Sequence, residues 1–420
     1  MSTTIRKLKN TGHLAQAVTA TLYNRFPGKG LTIIGVTGTD GKTTTANLIY
    51  HILKNAGKKV AVISTIGAII DGDMYETGFH ITTPSPFAIQ KYIRFAKKKG
   101  CTHIVLEVTS HALDQNRVWG IKFIIGVLTN ITHEHLDYHK DYMNYVRTKL
   151  RLLQRSDLAI VNSNGQWFLE AQKVIPKKRM ISYSLHGNNS DDLSMINLPF
   201  QIKTKLIGDF NLENIIAATA AASALGIDAI TIDNAVQSFD APNGRQEVIS
   251  NSSGPLIMVD FAHTANSFEN ILPEIRKRTA GCLIHVFGAA GLRDSGKRPE
   301  MGKVASFYDD IIILTAEDPR SEKIEDINRQ IKDGISNEFI NATEEAPNHG
   351  KTVYEIDDRK KAIEFALSIA GEKDTVIITG KGHERSMNYG KGEEKWSDQQ
   401  VVKEYQESHI QKTTTNSHEI

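Results

Sequence analysis

Short apolar runs alternate with amphipathic helical segments along nearly the whole chain. In its first part, this pattern predicts strands at residues 31–36, 59–64, 103–108, 123–128 and 158–162, and helices at residues 44–55, 86–99, 139–153 and 211–225. Strands and helices that alternate in this way are typical of an α/β fold with a mostly parallel sheet.

A cluster of turn-forming residues, Ala241-Pro242-Asn243-Gly244, interrupts this alternation. Beyond it, the pattern predicts strands at residues 256–260, 282–287, 310–315 and 375–379, and helices at residues 266–278, 324–335 and 359–369. We therefore predict a central ATP-binding domain at residues 31–242 and a smaller, Rossmann-like α/β domain at residues 243–405. Residues 406–420 are predicted to be a polar, frayed tail.

Composition adds few constraints. A length of 420 residues favours two domains, and 50 basic against 48 acidic residues leave a net charge of +2. This balance gives no reason to predict a nucleic-acid or membrane partner. Cys101 and Cys282 each begin a β-rich run and are predicted to be small buried residues, not a disulfide or a metal site. The polar N-terminus and the lack of a long apolar stretch predict a cytoplasmic protein.

A glycine-rich segment at residues 35–43 follows a predicted strand and opens a helix. Gly38 and Gly41 allow the backbone N–H groups to approach phosphate oxygens, and the helix dipole adds to the attraction. Lys42 supplies a positive charge for the β- and γ-phosphates, and Thr43 a hydroxyl for Mg²⁺. Val36 stands where the first glycine of the usual phosphate loop belongs. The segment predicts a nucleoside-triphosphate site, but a kinase, an ATPase and a ligase would each need one.

Two further residues suit a magnesium ion. Glu107 lies near the end of a predicted strand, at the edge of a parallel sheet where ligands bind. His135 belongs to a group of three histidines that follows the next predicted strand. Carboxylate and imidazole groups at these positions predict a metal that bridges phosphates. Lys149, on the next helix, is by itself indistinguishable from an ordinary surface lysine.

Eleven segments of the chain together resemble one family. They are GVTGTDGKTTT (35–45), TTPSP (82–86), LEVTSHALDQNRV (106–118), TNITHEHLDYH (129–139), YVRTKLRLL (145–153), GDFNLENIIAA (208–218), PNGRQE (242–247), VDFAHT (259–264), VFGAAGLRDSGKRPEMG (286–302), EDPRSE (317–322) and GKGHE (380–384). Their order and spacing resemble the Mur ligases, in particular the MurE branch, which extends the muramoyl dipeptide of peptidoglycan during cell-wall biosynthesis. The resemblance implies an ATP-dependent, ADP-forming ligase that makes an amide bond through an acyl phosphate.

The resemblance also assigns residues to ATP and metal. Lys149 matches a lysine that these enzymes carbamylate, and the carbamate becomes a ligand of a second Mg²⁺. Lys42, Glu107, His135 and Lys149 are thus the implied catalytic residues, with Thr43, Glu107, His135 and Lys149 around the metal. The residues implied to bind ATP are Gly38, Thr39, Asp40, Gly41, Lys42, Thr43, Thr44, Asn211, Asn214, Arg245 and Asp260.

Both substrates are assigned in the same way. The muramoyl-peptide acceptor is implied to contact Thr82, Thr83, Thr109, Gln115 and Arg117. The incoming amino acid is implied to contact Arg293, Glu317, Asp318, Arg320, Gly380 and Glu384. Ile81 and Thr109 depart from the family's common Asn and Ser. Arg320, as a carboxylate-binding residue, and Glu384, as an ammonium-binding residue, suit the two-ended side chain of meso-diaminopimelate, which we favour. The extra acidity of Glu317-Asp318 could equally favour L-lysine.

The resemblance begins only after the segment in which MurE-like chains hold the UDP group. Residues 1–30 match only the linker, with a helix at residues 14–26, so we expect that UDP-binding domain to be absent. The acceptor could be the UDP-linked dipeptide bound more weakly, a dipeptide whose nucleotide is held by a partner, or a non-UDP peptide acid. A ligase similar to folylpolyglutamate synthase and a non-catalytic ATP-binding regulator are the rival interpretations. We expect a monomer with small-molecule substrates.

Overall fold

The computed structural model of the protein describes residues 3–78, 82–132, 134, 136–249, 254–345 and 350–416. The chain divides into two compact units, Met1–Asp240 and Ala241–Ile420. The division lies two residues before the boundary expected from the turn cluster. Each unit contains its own large, mostly parallel sheet with helices packed on it, so the predicted α/β fold class is confirmed.

The first unit contains an eight-stranded sheet in the order β4-β3-β2-β5-β1-β6-β7-β8. Its strands are β1 Thr32–Thr37, β2 Val60–Ser64, β3 Gly67–Ile70, β4 Asp73–Tyr75, β5 His103–Glu107, β6 Phe123–Leu128, β7 Ser156–Asn162 and β8 Met180–Tyr183. Only β3 and β4 run antiparallel to their neighbours. Because β1 pairs with β5 and β6 in parallel, the carboxyl ends of these three strands lie side by side at one edge.

Helices cover this sheet. They are α1 Thr3–Tyr23, α2 Lys42–Asn55, α3 Pro86–Lys98, α4 Ser110–Asp114, α5 Leu136–His139, α6 Tyr142–Gln154, α7 Trp167–Val174, α8 Asp209–Ala224 and α9 Ala229–Ser238, with a 3₁₀ turn at Lys177–Arg179. The packing is tight at Gly35 in β1, where a Cβ atom would lie 2.8 Å from the Leu152 side chain and 2.9 Å from the Phe123 ring. A glycine is therefore required for α6 to pack against this strand.

The second unit contains a seven-stranded sheet in the order β13-β14-β12-β11-β15-β10-β9, in which only β9 is antiparallel, and a separate two-stranded ribbon, β16-β17. Its strands are β9 Glu247–Val248, β10 Leu256–Val259, β11 Leu283–Phe287, β12 Ile311–Leu314, β13 Ile340–Asn341, β14 Thr352–Glu355, β15 Thr375–Ile378, β16 Ser386–Asn388 and β17 Glu393–Lys395. Its helices are α10 Ala265–Arg276, α11 Lys297–Tyr308, α12 Ile324–Lys332, α13 Arg359–Ile369 and α14 Asp398–Asn416.

Two expectations at the ends of the chain differ from the structure. The helix expected at residues 14–26 begins at Thr3 and ends at Tyr23. The tail expected to fray from about Gln406 is helical as far as Asn416, because α14 continues from the buried residues Val401 and Val402. Cys101 is buried as predicted, whereas Cys282 is only partly buried, and both are free thiols. No helix in the described ranges has both the length and the apolar character of a membrane span.

Candidate active site

The phosphate loop connects β1 to α2 in the first unit, and its glycines are required by close contacts. A Cβ atom at Gly38 would lie 1.8 Å from Thr129 Oγ1. Gly41 has a φ of +78°, and a Cβ atom there would lie 2.3 Å from Asn214 Oδ1. Residues with side chains are therefore excluded at both positions. The N-terminus of the 14-residue helix α2 begins directly after Gly41, where its free N–H groups can receive an anion.

The segment that follows β6 holds this loop in place. The backbone N–H of Thr39 donates to the Asn130 carbonyl at 2.9 Å. The N–H of Asp40 donates to Asn130 Oδ1 at 2.8 Å, and Thr129 Oγ1 donates to the Asp40 carbonyl at 2.6 Å. Asn130 was not singled out from the sequence, although it lies within a recognised segment at the end of a strand. Its side chain fixes the loop from the neighbouring strand.

Two lysines converge on the loop. Lys42 Nζ donates to the Thr39 carbonyl at 2.7 Å. Lys149 is buried, with 1% of its surface exposed, and its Nζ donates to the Gly38 carbonyl at 2.5 Å. Burial, together with the positive charge of Lys42, lowers the pKa of Lys149 well below its ordinary value. Lys149 is therefore a buried amine beside the phosphate loop, and not the surface residue that its helix alone suggested.

Glu107 lies at the end of β5 and is fully buried. Thr43 Oγ1 lies 3.1 Å from both of its carboxylate oxygens. Thr65, which directly follows β2, donates to the same carboxylate through its backbone N–H at 3.0 Å and its hydroxyl at 2.9 Å. Thr65 was missed in the sequence, where its position after a strand was the available signal. Three segments thus bring oxygen atoms together at the carboxyl edge of the sheet.

His135, the other predicted metal ligand, lies outside the described residues. In the described ranges, no three His, Cys, Asp or Glu side chains come together as a metal cluster. The oxygen atoms of Thr43 and Glu107 still fit a hard cation, because hydroxyl and carboxylate groups are the ligands that Mg²⁺ prefers. The magnesium sites stay a prediction.

Helix α8 lies beside the phosphate loop and carries the two asparagines predicted for adenine. Asn214 Oδ1 accepts a hydrogen bond from Thr45 Oγ1 of α2 at 3.1 Å. Asn214 Nδ2 donates to Asn211 Oδ1 at 3.2 Å, and Asn211 Nδ2 donates to the Ile207 carbonyl at 2.8 Å. Both side chains are buried and fix α8 against α2, and Thr44 is buried in the same first turn of α2. Contact with the adenine ring stays a prediction.

The residues predicted to bind the acceptor form a linked group around α4. Thr83 Oγ1 donates to the Glu107 carbonyl at 3.1 Å and accepts from the Thr109 N–H at 2.9 Å. Arg117 Nη1 donates to the Thr83 carbonyl at 2.7 Å, and Arg117 Nε donates to Gln115 Oε1 at 2.8 Å. Thr82 is half-buried next to this group, whereas Ile81 lies outside the described residues. Four of the five predicted residues are thus joined by hydrogen bonds, and the group is connected to the backbone of Glu107.

In the second unit, the side chains of Arg245 and Asp260 have different contacts. The Arg245 guanidinium lies over the Phe261 ring at 4.5 Å, and its buried Nε has no hydrogen-bond partner among the described residues. The Asp260 carboxylate accepts from the N–H groups of Gln246 at 2.7 Å and Ala262 at 2.6 Å. Arg245 thus presents a stacked cation with an unused donor, and Asp260 orders the surrounding turns.

Five of the six residues predicted for the incoming amino acid lie on the loops after β12 and β15, whereas Arg293 lies after β11. Glu317 is 6% exposed, and Gly380 lies so close to it that a Cβ atom there would be 2.2 Å from Glu317 Oε2. This oxygen has no hydrogen-bond partner among the described residues. Burial raises the pKa of Glu317 to about 7, although Lys297 and other nearby cations oppose the shift. Glu317 is therefore a buried acid with one unused oxygen.

Asp318 is not an additional free acid. Both of its carboxylate oxygens accept from the buried Lys381 Nζ at 2.9 Å. The same Nζ lies 2.6 Å from a Glu384 carboxylate oxygen. Lys381 was missed, although it lies within the segment GKGHE. Arg320 Nη1 donates to the Gly291 carbonyl at 2.6 Å, whereas Arg293 is exposed. One buried cation is therefore shared by the carboxylates of Asp318 and Glu384, and the choice between diaminopimelate and lysine stays a prediction.

Comparison with known proteins adds to this geometry. Residues 36–222 match the Mur ligase middle domain, and residues 244–382 match the Mur ligase glutamate ligase domain. The UDP-N-acetylmuramoyl-L-alanyl-D-glutamate–2,6-diaminopimelate ligase of Aquifex aeolicus is 37% identical over 396 residues, which are 90% of this chain and 78% of that protein. The UDP-N-acetylmuramyl-tripeptide synthetase of Borreliella afzelii is 33% identical over 90% of this chain and 77% of its own length.

Solved structures show the same relationship. A UDP-N-acetylmuramoyl-L-alanyl-D-glutamate–2,6-diaminopimelate ligase is similar with a TM-score of 0.61 and 31% identity, over 91% of this chain and 79% of that chain. Mycobacterium tuberculosis folylpolyglutamate synthase complexed with ADP reaches a TM-score of 0.68 at 15% identity, over 87% of this chain and 91% of that chain. At the lower identity the likeness concerns the fold alone.

Proposed function

This chain belongs to the Mur ligase family and is an ATP-dependent ligase that joins a carboxyl group to an amine, and we propose that its amine is meso-diaminopimelate. The acceptor in this proposal is the D-glutamyl carboxyl group of a UDP-N-acetylmuramoyl dipeptide, an intermediate of peptidoglycan biosynthesis. Relatives that carry this activity in their names, at 37% and 34% identity, support the proposal. The structural observation that carries the ligase chemistry is Lys149 Nζ, a buried amine 2.5 Å from the Gly38 carbonyl of the phosphate loop.

The phosphate-loop residues would hold the triphosphate. Lys42 and the N–H groups at the start of α2 offset the negative charge of the β- and γ-phosphates. Thr43 and Glu107 would hold a magnesium ion, which supplies further positive charge to the phosphates. His135 is proposed as an additional ligand on the basis of its sequence position. Arg245, with its unused Nε, would contact phosphate, and Asp260 would contact ribose.

A carbamate on Lys149 fits the surroundings of this residue. A carbamate forms from CO₂ and a neutral amine, and the burial of Lys149 beside Lys42 favours the neutral form of its side chain. The product is an anion at the end of a buried chain, which would bind a second magnesium ion where an ammonium could not. We therefore propose Lys149 as the carbamylated lysine of this enzyme.

The chemistry proceeds in two steps. An oxygen of the acceptor carboxylate attacks the γ-phosphorus, the bond to the β-phosphate oxygen breaks, and an acyl phosphate and ADP result. The neutral amine then attacks the acyl carbon, phosphate leaves, and the amine gives up a proton. Lys42 stabilises the charge of the first step. Thr83, Thr109, Gln115 and Arg117 are proposed to orient the acceptor, whose carboxylate must be aligned with the phosphate.

The proposed amine pocket, on the loops after β12 and β15, suits a diamino acid that carries a distal carboxylate. Arg320 is held by the Gly291 carbonyl, so its remaining N–H groups are proposed to bind that carboxylate. Glu317 retains an unused oxygen for an ammonium group. Asp318 is already paired with Lys381, so it is less available to the ammonium group of a lysine substrate. These contacts favour diaminopimelate over lysine. We expect a cytoplasmic enzyme, since the reaction consumes ATP, and we also expect a monomer.

The test is ADP release by the purified protein with each acceptor paired with each amine. The acceptors are UDP-muramoyl dipeptide, muramoyl dipeptide and free dipeptide, and the amines are diaminopimelate, lysine and ornithine. We expect the highest rate with UDP-muramoyl dipeptide and diaminopimelate. A Lys42→Ala variant should lose this rate, whereas Lys54→Ala, an exposed lysine at the other end of α2, should retain it. A high rate with lysine alone, or only with a non-UDP acceptor, would contradict the proposal.

A further inference from the structure

A fully buried ion pair in the second unit has no role in the reaction described above. Arg359 is the first residue of α13, Asp398 is the first residue of α14, and neither side chain is exposed. Arg359 Nε donates to Asp398 Oδ1 at 2.8 Å, and Arg359 Nη2 donates to Asp398 Oδ2 at 2.8 Å. Trp396 Nε1 donates a third hydrogen bond to Asp398 at 2.8 Å. Because buried ion pairs contribute little net stability on average, a specific geometric role is the better explanation.

The remaining contacts of Arg359 indicate that role. Nη1 donates to the Ala316 carbonyl at 3.1 Å, and Nη2 donates to the Thr379 carbonyl at 2.7 Å. Ala316 directly precedes Glu317 in the loop after β12, and Thr379 directly precedes Gly380 in the loop after β15. The strands β12 and β15 are not neighbours, because β11 lies between them. They are therefore about 10 Å apart, and one guanidinium joins the two loops.

The two loops need to be held in a fixed register. Glu317 Oε2 packs directly against Gly380, where no Cβ atom could fit. The loop after β12 also contains two non-glycine residues in the left-handed region, Asp318 with a φ of +46° and Arg320 with a φ of +53°. Backbone of this kind persists only when surrounding contacts enforce it. The planar fork of Arg359 supplies such contacts at the residues directly before Glu317 and Gly380.

We propose that Arg359, oriented by Asp398, is a positioning residue for the amino-acid pocket and couples helix α14 to that pocket. The proposal rests on the proposed function, because it assigns the loops at Glu317 and Gly380 to the incoming amine. Arg359 touches no substrate. It fixes the spacing between the loops, so its loss would impair amine binding while the phosphate loop of the first unit stays intact.

An Arg359→Lys variant keeps the charge but loses the fork that reaches both carbonyls. We expect the KM for diaminopimelate to rise about tenfold or more, since small misplacements of binding groups have large effects. The KM for ATP should change less than about twofold. Asp398→Asn, which keeps the shape of the partner, should raise the same KM by a smaller factor. A similar change in both KM values, or none, would overturn the proposal.

Arg276 provides a matched control in the same unit. Its Nη1 pairs with Asp310 at 2.5 Å, and its Nη2 donates to the carbonyls of Thr279 at 2.9 Å and Gly281 at 2.6 Å. These contacts lie at the amino ends of β11 and β12, opposite to the pocket loops. Arg276→Lys should therefore lower the unfolding temperature without raising the KM for diaminopimelate. If it raises that KM as strongly as Arg359→Lys does, the effect is one of general stability and the proposal is wrong.

Hydrogen exchange on the unmodified protein tests the coupling even if the variants fail to fold. Diaminopimelate should slow exchange of the amides at residues 398–402, at the start of α14, together with those of residues 316–318 and 320. Slower exchange in the pocket loops without any change at residues 398–402 would overturn the coupling. If the unmodified protein releases no ADP with diaminopimelate and binds none, the proposed function fails instead, so the two failures are distinguishable.

Discussion

Glu317 gives the sharpest quantitative prediction, because its burial makes stability depend on pH. Its pKa in the folded chain is about 7, against an ordinary value of 4.5. Between these two values the folded state retains a proton that the unfolded state has released. Unfolding free energy therefore falls as pH rises from about 4.5 to about 7. The difference of about 2.5 pKa units corresponds to about 3 kcal/mol, since one unit is 1.36 kcal/mol.

A Glu317→Gln variant removes this dependence and keeps the shape of the side chain. Denaturant unfolding at pH 5, 6, 7 and 8 should make the variant more stable by less than about 1 kcal/mol at pH 5 and by about 3 kcal/mol at pH 8. Other titrating groups are common to both proteins, so they cancel in the difference. Glu372→Gln, at an exposed position of the same unit, should give a difference that does not vary with pH.

The reasoning is refuted if the difference between Glu317→Gln and the unmodified protein is constant from pH 5 to pH 8. That result would mean that Glu317 is charged in the folded state at all these pH values, with an unrecognised donor at Oε2. Diaminopimelate adds a second check. If its ammonium group binds Glu317, saturating amine should flatten the pH dependence of the unmodified protein, because the bound cation stabilises the carboxylate.

Three further predictions concern the first unit. Lys149→Ala should lower the rate of ADP release at least about 100-fold, since an interaction made in the transition state is lost. Added bicarbonate should not restore the rate. A variant that stays active would exclude the carbamate role. Gly41→Ala should destabilise the protein by about 1–2 kcal/mol, because alanine disfavours the left-handed φ of this position. It should also abolish ATP binding in calorimetry, because the new methyl group would displace Asn214. Unchanged ATP affinity would contradict this prediction. Thr65→Val should lower the free energy of unfolding in denaturant by about 1–2 kcal/mol, because buried Glu107 loses a hydrogen-bond donor. An unchanged unfolding midpoint would show that other donors replace the threonine hydroxyl.

Much of the fold was predictable because its strands are buried on both faces. Strand β6 and helix α13 have the predicted bounds, Phe123–Leu128 and Arg359–Ile369. Apolar runs and helical periodicity are strong signals when an element lies in the core. The hairpin formed by β3 and β4 was missed, because these strands are only four and three residues long. The polar end of α14 was missed because few apolar residues mark it as a helix.

One helix boundary shows a signal that was present but not used. The helix predicted at residues 139–153 corresponds to α6, which begins only at Tyr142, while His139 ends the preceding short helix α5. Lys140 has a φ of +74°, which ends the first helix, and the Asp141 side chain accepts from the Asn144 N–H at 2.9 Å as the N-cap of the second. An aspartate directly before a segment with helical apolar periodicity is a recognised helix start.

The site was predictable where one segment carries the chemistry and not where distant segments meet. The phosphate loop from Gly38 to Thr43 is contiguous, so its glycines, lysine and threonine could be read together. Thr65 and Asn130 act on residues far away in the sequence, and only the pairing of β2, β5, β1 and β6 brings them near. Lys381 was hidden for a similar reason, since its partner Asp318 is 63 residues away.

The bonds from Thr129 and Asn130 to the phosphate loop have a consequence for nucleotide-binding kinetics. These contacts come from the chain itself and hold residues 37–41. Ordering a residue's backbone costs about 1–2 kcal/mol, so five residues represent about 5–10 kcal/mol of entropy that is lost during folding and not during association. A nucleotide therefore meets a rigid receptor, and its association rate should be limited by diffusion and orientation and not by rearrangement of the loop.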